Sequence, residues 1–166
     1  MLFRSLHVIK GGVVAADLAD DAAAREMLAA RYRIPQPRNA LAVTVRDHAS
    51  AAMDVSDGLA GDLAKLCLAS DVSAVIDAPS IPLSAAASRL LARGTVGIEA
   101  LVSGGDDYEI LCAVPEESFE GFALGAKQAG IAISSIGTVI AGAATPRFLD
   151  AQGSEIALGR LSYSHF

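Results

Sequence analysis

Hydrophobic and polar positions follow two different periods along this chain, one typical of helices and one typical of strands. In the clearest helical segment, residues 57–70, apolar residues recur at spacings of four, three and one and form a single stripe: Leu59, Leu63, Leu66 and Cys67. Asp62 and Lys65 fall off that stripe and are expected to point elsewhere. Short runs with β-branched residues, such as residues 72–79, predict strands instead.

The order of these segments predicts the fold class. Helices are predicted over residues 15–32, 39–48, 57–70, 84–93 and 116–129, and strands over residues 50–56, 72–79, 108–114, 131–140, 145–150, 151–154 and 155–158. This order favours an α+β fold in which helices pack on a mixed β-sheet. Pro35 and Pro37 end the first helix, so residues 1–37 are predicted to be a connecting helix and linker, and residues 38–166 a domain.

Composition and charge narrow the classes of partner. Thirteen Lys and Arg stand against 19 Asp and Glu, a formal net charge of −6, which disfavours binding to nucleic acid. No apolar run reaches the roughly 20 residues that a membrane-spanning helix needs. The two cysteines, Cys67 and Cys112, lack metal-ligand spacing and are expected to be buried thiols, which fits a reducing cytoplasm.

The first polar cluster is the stretch MDVSDGL, at a predicted junction between a strand and a helix. Asp54 and Ser56 are two residues apart and would project from the same side of the strand end, and Asp57 opens the helix. Carboxylates there could hold Mg²⁺ while backbone N–H groups bind phosphate. The alternative is an ordinary helix cap formed by Ser56 or Asp57, with Asp54 solvated at the strand end.

The second cluster is SGGDDYE, before the strand of residues 108–114. Gly104 and Gly105 permit a tight turn, and Asp106, Asp107 and Glu109 place three acids within four residues. A turn carrying a solvated acid pair is the alternative interpretation. The sequence contains neither the P-loop pattern nor GxGxxG, and no nucleophile motif accompanies its histidines, so it assigns no nucleophile or other catalytic side chain.

MDVSDGL, SGGDDYEIL and the terminal YSHF, in this order, resemble the C-terminal half of the thiamine-monophosphate kinase family. That family belongs to the superfamily of aminoimidazole ribonucleotide synthetase and selenophosphate synthetase. The resemblance covers residues 35–166. It implies the superfamily's C-terminal α+β fold and a cytoplasmic, ATP-dependent phosphotransferase that converts thiamine monophosphate to thiamine diphosphate with Mg²⁺.

The resemblance also implies roles for particular residues. Asp54 and Asp57 would be magnesium ligands, and Ser56 would contact the phosphates of ATP. Asp106, where the family usually has Glu, and Tyr163, where it often has Trp, would contact the thiamine substrate. The side chain of Asp106 is one methylene shorter than Glu, which would shift that contact or route it through water.

The family pattern includes an N-terminal domain that supplies most of the metal ligands and the homodimer interface, and residues 1–50 do not resemble it. The chain is therefore expected to be the C-terminal part of the enzyme and inactive alone. Two alternatives stay open. One is a domain of another ATP-dependent superfamily member, such as a ribonucleotide ring-closing synthetase, and the other is a non-catalytic interaction module.

Overall fold

The computed structural model describes residues 13–105 and 107–161, in which helices and strands are interspersed. The α-helices are α1 Val13–Asp17, α2 Ala22–Arg33, α3 Ala42–His48, α4 Leu59–Ala69, α5 Ala85–Ala92, α6 Ile98–Val102 and α7 Phe119–Gln128. The strands are β1 Ala51–Val55, β2 Val72–Asp77, β3 Glu109–Ala113, β4 Gly137–Ala141 and β5 Arg147–Leu149. Short 3₁₀ turns occupy Asn39–Leu41, Ala78–Ser80 and Glu116–Ser118.

The strands pair in two sheets. β1 and β3 run antiparallel, with Asp54 opposite Ile110 and Val55 opposite Glu109. In the other sheet β2 is central, antiparallel to β4 and parallel to β5. The second sheet is therefore mixed, and helices pack beside both sheets, which confirms the predicted α+β class.

Several segments differ from the prediction. The helix predicted over residues 15–32 is divided into α1 and α2. The strands predicted over residues 151–154 and 155–158 are a turn and a segment that contributes a single bridge, Glu155 to Leu149.

Helix α6 was not predicted, because its five residues are too few to show a helical period. Residues 131–136 have the apolar alternation of a strand, but regular pairing begins only at Gly137. The residues before Gly137 instead line a cavity of about 250 Å³ beside β3.

The buried apolar residues form two clusters. The first joins α4 to the strands and includes Val55, Leu63 and Phe148. The second joins α1 and α2 to α5 and α6, with Leu28 packed in the same cluster as Leu90. The helix predicted as a connector thus shares a core with the rest of the chain, and the domain boundary at residue 37 stays a prediction.

No helix within the described ranges is long and apolar enough to cross a membrane.

Candidate functional site

The first predicted cluster lies where β1 ends and α4 begins. Val55 is buried at the end of β1, and Gly58 caps α4 with a positive φ of 115°. A side chain at Gly58 would place its Cβ 2.8 Å from the carbonyl carbon of Ser103 and 2.9 Å from the carbonyl oxygen of Gly104. Only glycine allows this loop to come so close to the loop of residues 103–105.

The second cluster meets the first from the other side. A Cβ on Gly105 would lie 2.7 Å from the carbonyl oxygen of Ser56. The backbone N–H of Tyr108 donates a hydrogen bond of 2.9 Å to the carbonyl of Val55. The structure therefore brings residues 56–58 and 103–105 into direct backbone contact, although they are far apart in the sequence.

The predicted site residues take different positions in this arrangement. Asp54 is an exposed residue of β1, and Ser56 and Asp57 are half-buried in the loop that follows it. Asp106 and Tyr163 lie outside the residues that the structure describes. Their predicted contacts with the substrate stay predictions.

Asp62 is a functional candidate to which the sequence analysis gave no role. Its side chain is only 1% exposed, and its Oδ2 accepts hydrogen bonds of 2.9 Å from the backbone N–H groups of Ser56 and Asp57. The carboxylate thus supplies an acceptor to two donors of the loop, which would otherwise need other partners. An acidic residue in the first turn of a helix was the available signal, because such residues often reach back to N–H groups at the helix start.

Lys65 connects Asp62 to the predicted metal ligand. Its Nζ lies 2.7 Å from Oδ2 of Asp57 and 2.9 Å from Oδ1 of Asp62. The hydrogen bonds to Asp57 and then to Asp62 raise the pKa of Lys65, so the ammonium remains charged at neutral pH. Asp62 and Lys65, which were expected to point away from the apolar stripe of this helix, therefore both belong to this site.

A second ionic cluster lies at the start of β3. Glu109 accepts hydrogen bonds from Arg38, at 2.7 and 2.9 Å, and from Arg31, at 2.5 Å. Burial by itself would raise the pKa of Glu109, but lowering interactions, of which the hydrogen bonds from Arg38 are the largest and that from Arg31 a further part, outweigh it and the pKa falls to about 2. This cluster fastens α2 and the segment before α3 to β3, opposite Val55. Sequence spacing gave no signal for it, because Arg31 and Glu109 are 78 residues apart.

The carboxylate oxygens of Asp57 are of the ligand type that a hard cation such as Mg²⁺ binds. Carboxylate oxygens are the ligands that Mg²⁺ prefers, and the carboxylate of Asp57 already faces one positive group, the Lys65 ammonium at 2.7 Å. Across residues 13–105 and 107–161, however, no three His, Cys, Asp or Glu side chains form a group that could hold a metal ion. A divalent ion at Asp57 would therefore need further ligands from water, phosphate or other protein residues.

Residues 9–147 match the family model described as AIR synthase related protein, C-terminal domain. This match covers most of the chain, so the chain belongs to that family. Within it, the chain is similar to thiamine-monophosphate kinase from Caulobacter vibrioides, with 38% identity over 138 residues. That match covers 81% of this chain and 39% of the relative, so the chain spans about two fifths of the relative's length.

Solved structures agree with this placement. The chain is similar to the crystal structure of thiamine-monophosphate kinase from Stenotrophomonas maltophilia K279a, with a TM-score of 0.74 and 28% identity over 89% of this chain and 47% of that one. AaThiL complexed with AMPPCP and TMP has the same fold, with a TM-score of 0.70, 24% identity and coverage of 93% of this chain and 47% of that one. These findings confirm the resemblance predicted from the sequence.

Proposed function

We propose that this chain is the C-terminal part of a thiamine-monophosphate kinase. The complete enzyme would transfer the γ-phosphoryl group of ATP to the phosphate of thiamine monophosphate, which releases ADP and thiamine diphosphate. The similarity to the Caulobacter and Stenotrophomonas kinases supports this class, and a protein of the same fold is known complexed with AMPPCP and TMP. The observation that carries the proposal is the backbone contact between residues 56–58 and 103–105, because it joins the two predicted clusters at one place.

In this proposal, each predicted residue helps to bind the two anionic substrates, ATP and thiamine monophosphate. Asp54 and Asp57 bind Mg²⁺, Ser56 contacts the phosphates of ATP, and Asp106 and Tyr163 contact thiamine monophosphate. A bare carboxylate 4 Å from a phosphate is repelled by about 1 kcal/mol in water and about 4 kcal/mol at an effective dielectric constant near 20. Bound Mg²⁺ would supply the positive charge that offsets this repulsion. The reaction needs no covalent enzyme intermediate, so the chain's residues act by positioning and neutralising the two substrates.

The remaining ligands come from outside this chain. In the proposal they belong to an N-terminal domain that also forms the homodimer interface of a cytoplasmic enzyme. The match of this chain to only 39% of the Caulobacter vibrioides kinase supports this division of the site. We therefore expect the 166-residue chain alone to release no ADP from ATP and thiamine monophosphate.

A chimera tests the proposal directly. The matched 39% of the Caulobacter vibrioides kinase is replaced by this chain, and ADP release is measured with ATP, Mg²⁺ and thiamine monophosphate. We expect turnover that depends on thiamine monophosphate, and a loss of about two orders of magnitude on Asp54→Asn, because the Mg²⁺ that would offset the negative charge of the transition state loses a ligand. Asp20→Asn, an exposed acid between α1 and α2, is the matched control and should leave turnover unchanged.

Three results would contradict the proposal. Turnover that does not respond to thiamine monophosphate but responds to a ribonucleotide would favour the ring-closing synthetase. A folded chimera without turnover would favour a non-catalytic module. Activity of the 166 residues alone would contradict the division of the site between two domains.

A further inference from the structure

The backbone N–H groups of Ser56 and Asp57 point to one place. Both donate to Oδ2 of Asp62, each at 2.9 Å. Successive N–H groups that point into one small concavity are a typical binding place for an anion such as a phosphate group. We call this concavity, between the two N–H groups and α4, the anion niche. It already contains an anion, and that anion is a side chain of the protein itself.

The Asp62 carboxylate is held in the anion niche from several sides. The N–H of Asp62 donates to the carbonyl of Gly58 at 3.0 Å, so the first turn of α4 fixes its backbone. Nζ of Lys65 lies 2.9 Å from Oδ1, the other carboxylate oxygen. Because only 1% of the Asp62 side chain is exposed, an external anion could reach the two N–H groups of the loop only by displacing it.

The backbone of Ser56 is therefore engaged on both sides. Its N–H donates to Asp62, and its carbonyl oxygen lies against Gly105, where a Cβ would be only 2.7 Å away. A hydroxyl can donate to a phosphate oxygen, and the Ser56 side chain is half-buried rather than enclosed. The hydroxyl is thus the group through which Ser56 can reach a phosphate.

We propose that Asp62 is a positioning residue that fills the anion niche, so that ATP meets the hydroxyl of Ser56 and not the backbone N–H groups of the loop. Asp62 holds residues 56 and 57 in the conformation that a bound anion would otherwise have to induce. The inference rests on the proposed contact of Ser56 with the phosphates of ATP. It adds the atom that makes this contact and the residue that orients it.

Kinetics of the chimera distinguish this arrangement from its opposite. If the N–H groups bound the phosphate, Asp62→Ala would release two donors and lower the KM for ATP. In our proposal Asp62→Ala and Ser56→Ala should each raise that KM about tenfold, because a hydrogen bond to a charged group is misplaced or lost. Since Asp62 acts through Ser56, adding Asp62→Ala to Ser56→Ala should change the KM by less than about twofold.

Two further variants separate positioning from stability. Asp21 is the matched control, because it also accepts a backbone hydrogen bond, from Ala24 at 2.8 Å, and also contacts a cation, Arg89. Asp21→Ala should destabilise the protein and leave the KM for ATP unchanged. Asp62→Asn keeps one acceptor oxygen and should raise the KM by a smaller factor than Asp62→Ala. It replaces Asp62→Ala in the kinetic comparisons if the alanine variant does not fold.

Formate tests the anion niche without nucleotide, because it supplies a carboxylate that is not tethered to the chain. In the 166-residue chain carrying Asp62→Ala, formate should move the backbone amide resonances of Ser56 and Asp57 saturably toward their positions in the unsubstituted chain. Sodium chloride at the same ionic strength should not. In the unsubstituted chain formate should leave both resonances in place, since Asp62 occupies the niche.

A lower or unchanged KM for ATP in Asp62→Ala would overturn the proposal, as would an effect of equal size with and without the Ser56 hydroxyl. Formate that leaves the two amides of Asp62→Ala unmoved would overturn it as well. A chimera without turnover would contradict the proposed kinase function and with it the contact to ATP. The formate titration contains no nucleotide, so the two failures are separate results.

Discussion

At the scale of single residues, two glycines set how closely the two loops of the site approach. Gly105 lies where a Cβ would be 2.7 Å from the carbonyl oxygen of Ser56, whereas Gly97 has open space around it. We expect Gly105→Ala to lower the free energy of unfolding by about 1–3 kcal/mol, because the backbone must shift to relieve the overlap. Gly97→Ala should cost less than about 0.5 kcal/mol. Urea denaturation of both variants checks this, and equal losses would contradict the tight contact.

Asp62 provides a second test at this scale. Asp62→Ala leaves the N–H groups of Ser56 and Asp57 without their acceptor, so we expect the free energy of unfolding to fall by about 1–3 kcal/mol. The backbone amide resonances of Ser56 and Asp57 should shift and exchange faster with solvent. Asp20→Ala serves as the control in an exposed turn. If Asp62→Ala left the two amides as well protected as before, the buried carboxylate would not order the loop.

At the scale of elements, the cluster of Glu109 with Arg38 and Arg31 links α2 to β3 and makes that link sensitive to acid. The pKa of Glu109 is about 2, below the ordinary value of 4.5, so the folded state holds the carboxylate charged more strongly than the unfolded state. The resulting stability is fully present above about pH 4.5 and is lost as the pH falls toward 2. It amounts to at most about 3 kcal/mol.

Glu109→Gln should therefore destabilise the chain at neutral pH and flatten the dependence of stability on pH between about 5 and 2. Chemical denaturation at a series of pH values measures this. Glu120→Gln, an exposed position in the first turn of α7, is the control. The same slope in Glu109→Gln as in the unsubstituted chain would show that Glu109 does not carry the acid sensitivity.

The elements also show what the sequence could predict. The long helix α4 and the β-branched strand β2 were predicted because their apolar positions repeat locally. The grouping of Asp54, Ser56 and Asp57 at the end of β1 was visible because the three residues lie within four positions of the sequence. Contacts across large separations, such as Arg31 with Glu109, leave no local pattern. Asp62 was overlooked although it stands in the first turn of α4, because the sequence does not show that its side chain turns back to the N–H groups of Ser56 and Asp57.

At the scale of the whole molecule, the buried apolar residues form two separate clusters. Leu28 in α2 belongs to one and Leu63 in α4 to the other, and both are almost fully buried. We expect Leu28→Ala and Leu63→Ala each to lower the free energy of unfolding by about 2–5 kcal/mol and to shift one common transition. Circular dichroism and calorimetry on the same samples test this. Leu68→Ala, at a position 77% exposed, is the control, and separate transitions for the two clusters would contradict a single cooperative unit.

The glycine contact between residues 56–58 and 103–105 has a consequence for engineering and for divergence of this scaffold. Because main chain touches main chain there, the separation of the two loops does not depend on the side chains that border the contact. Substitutions of those bordering side chains can therefore change what the site binds while the two loops keep their separation. A change of that separation, by contrast, would require both loops to change together.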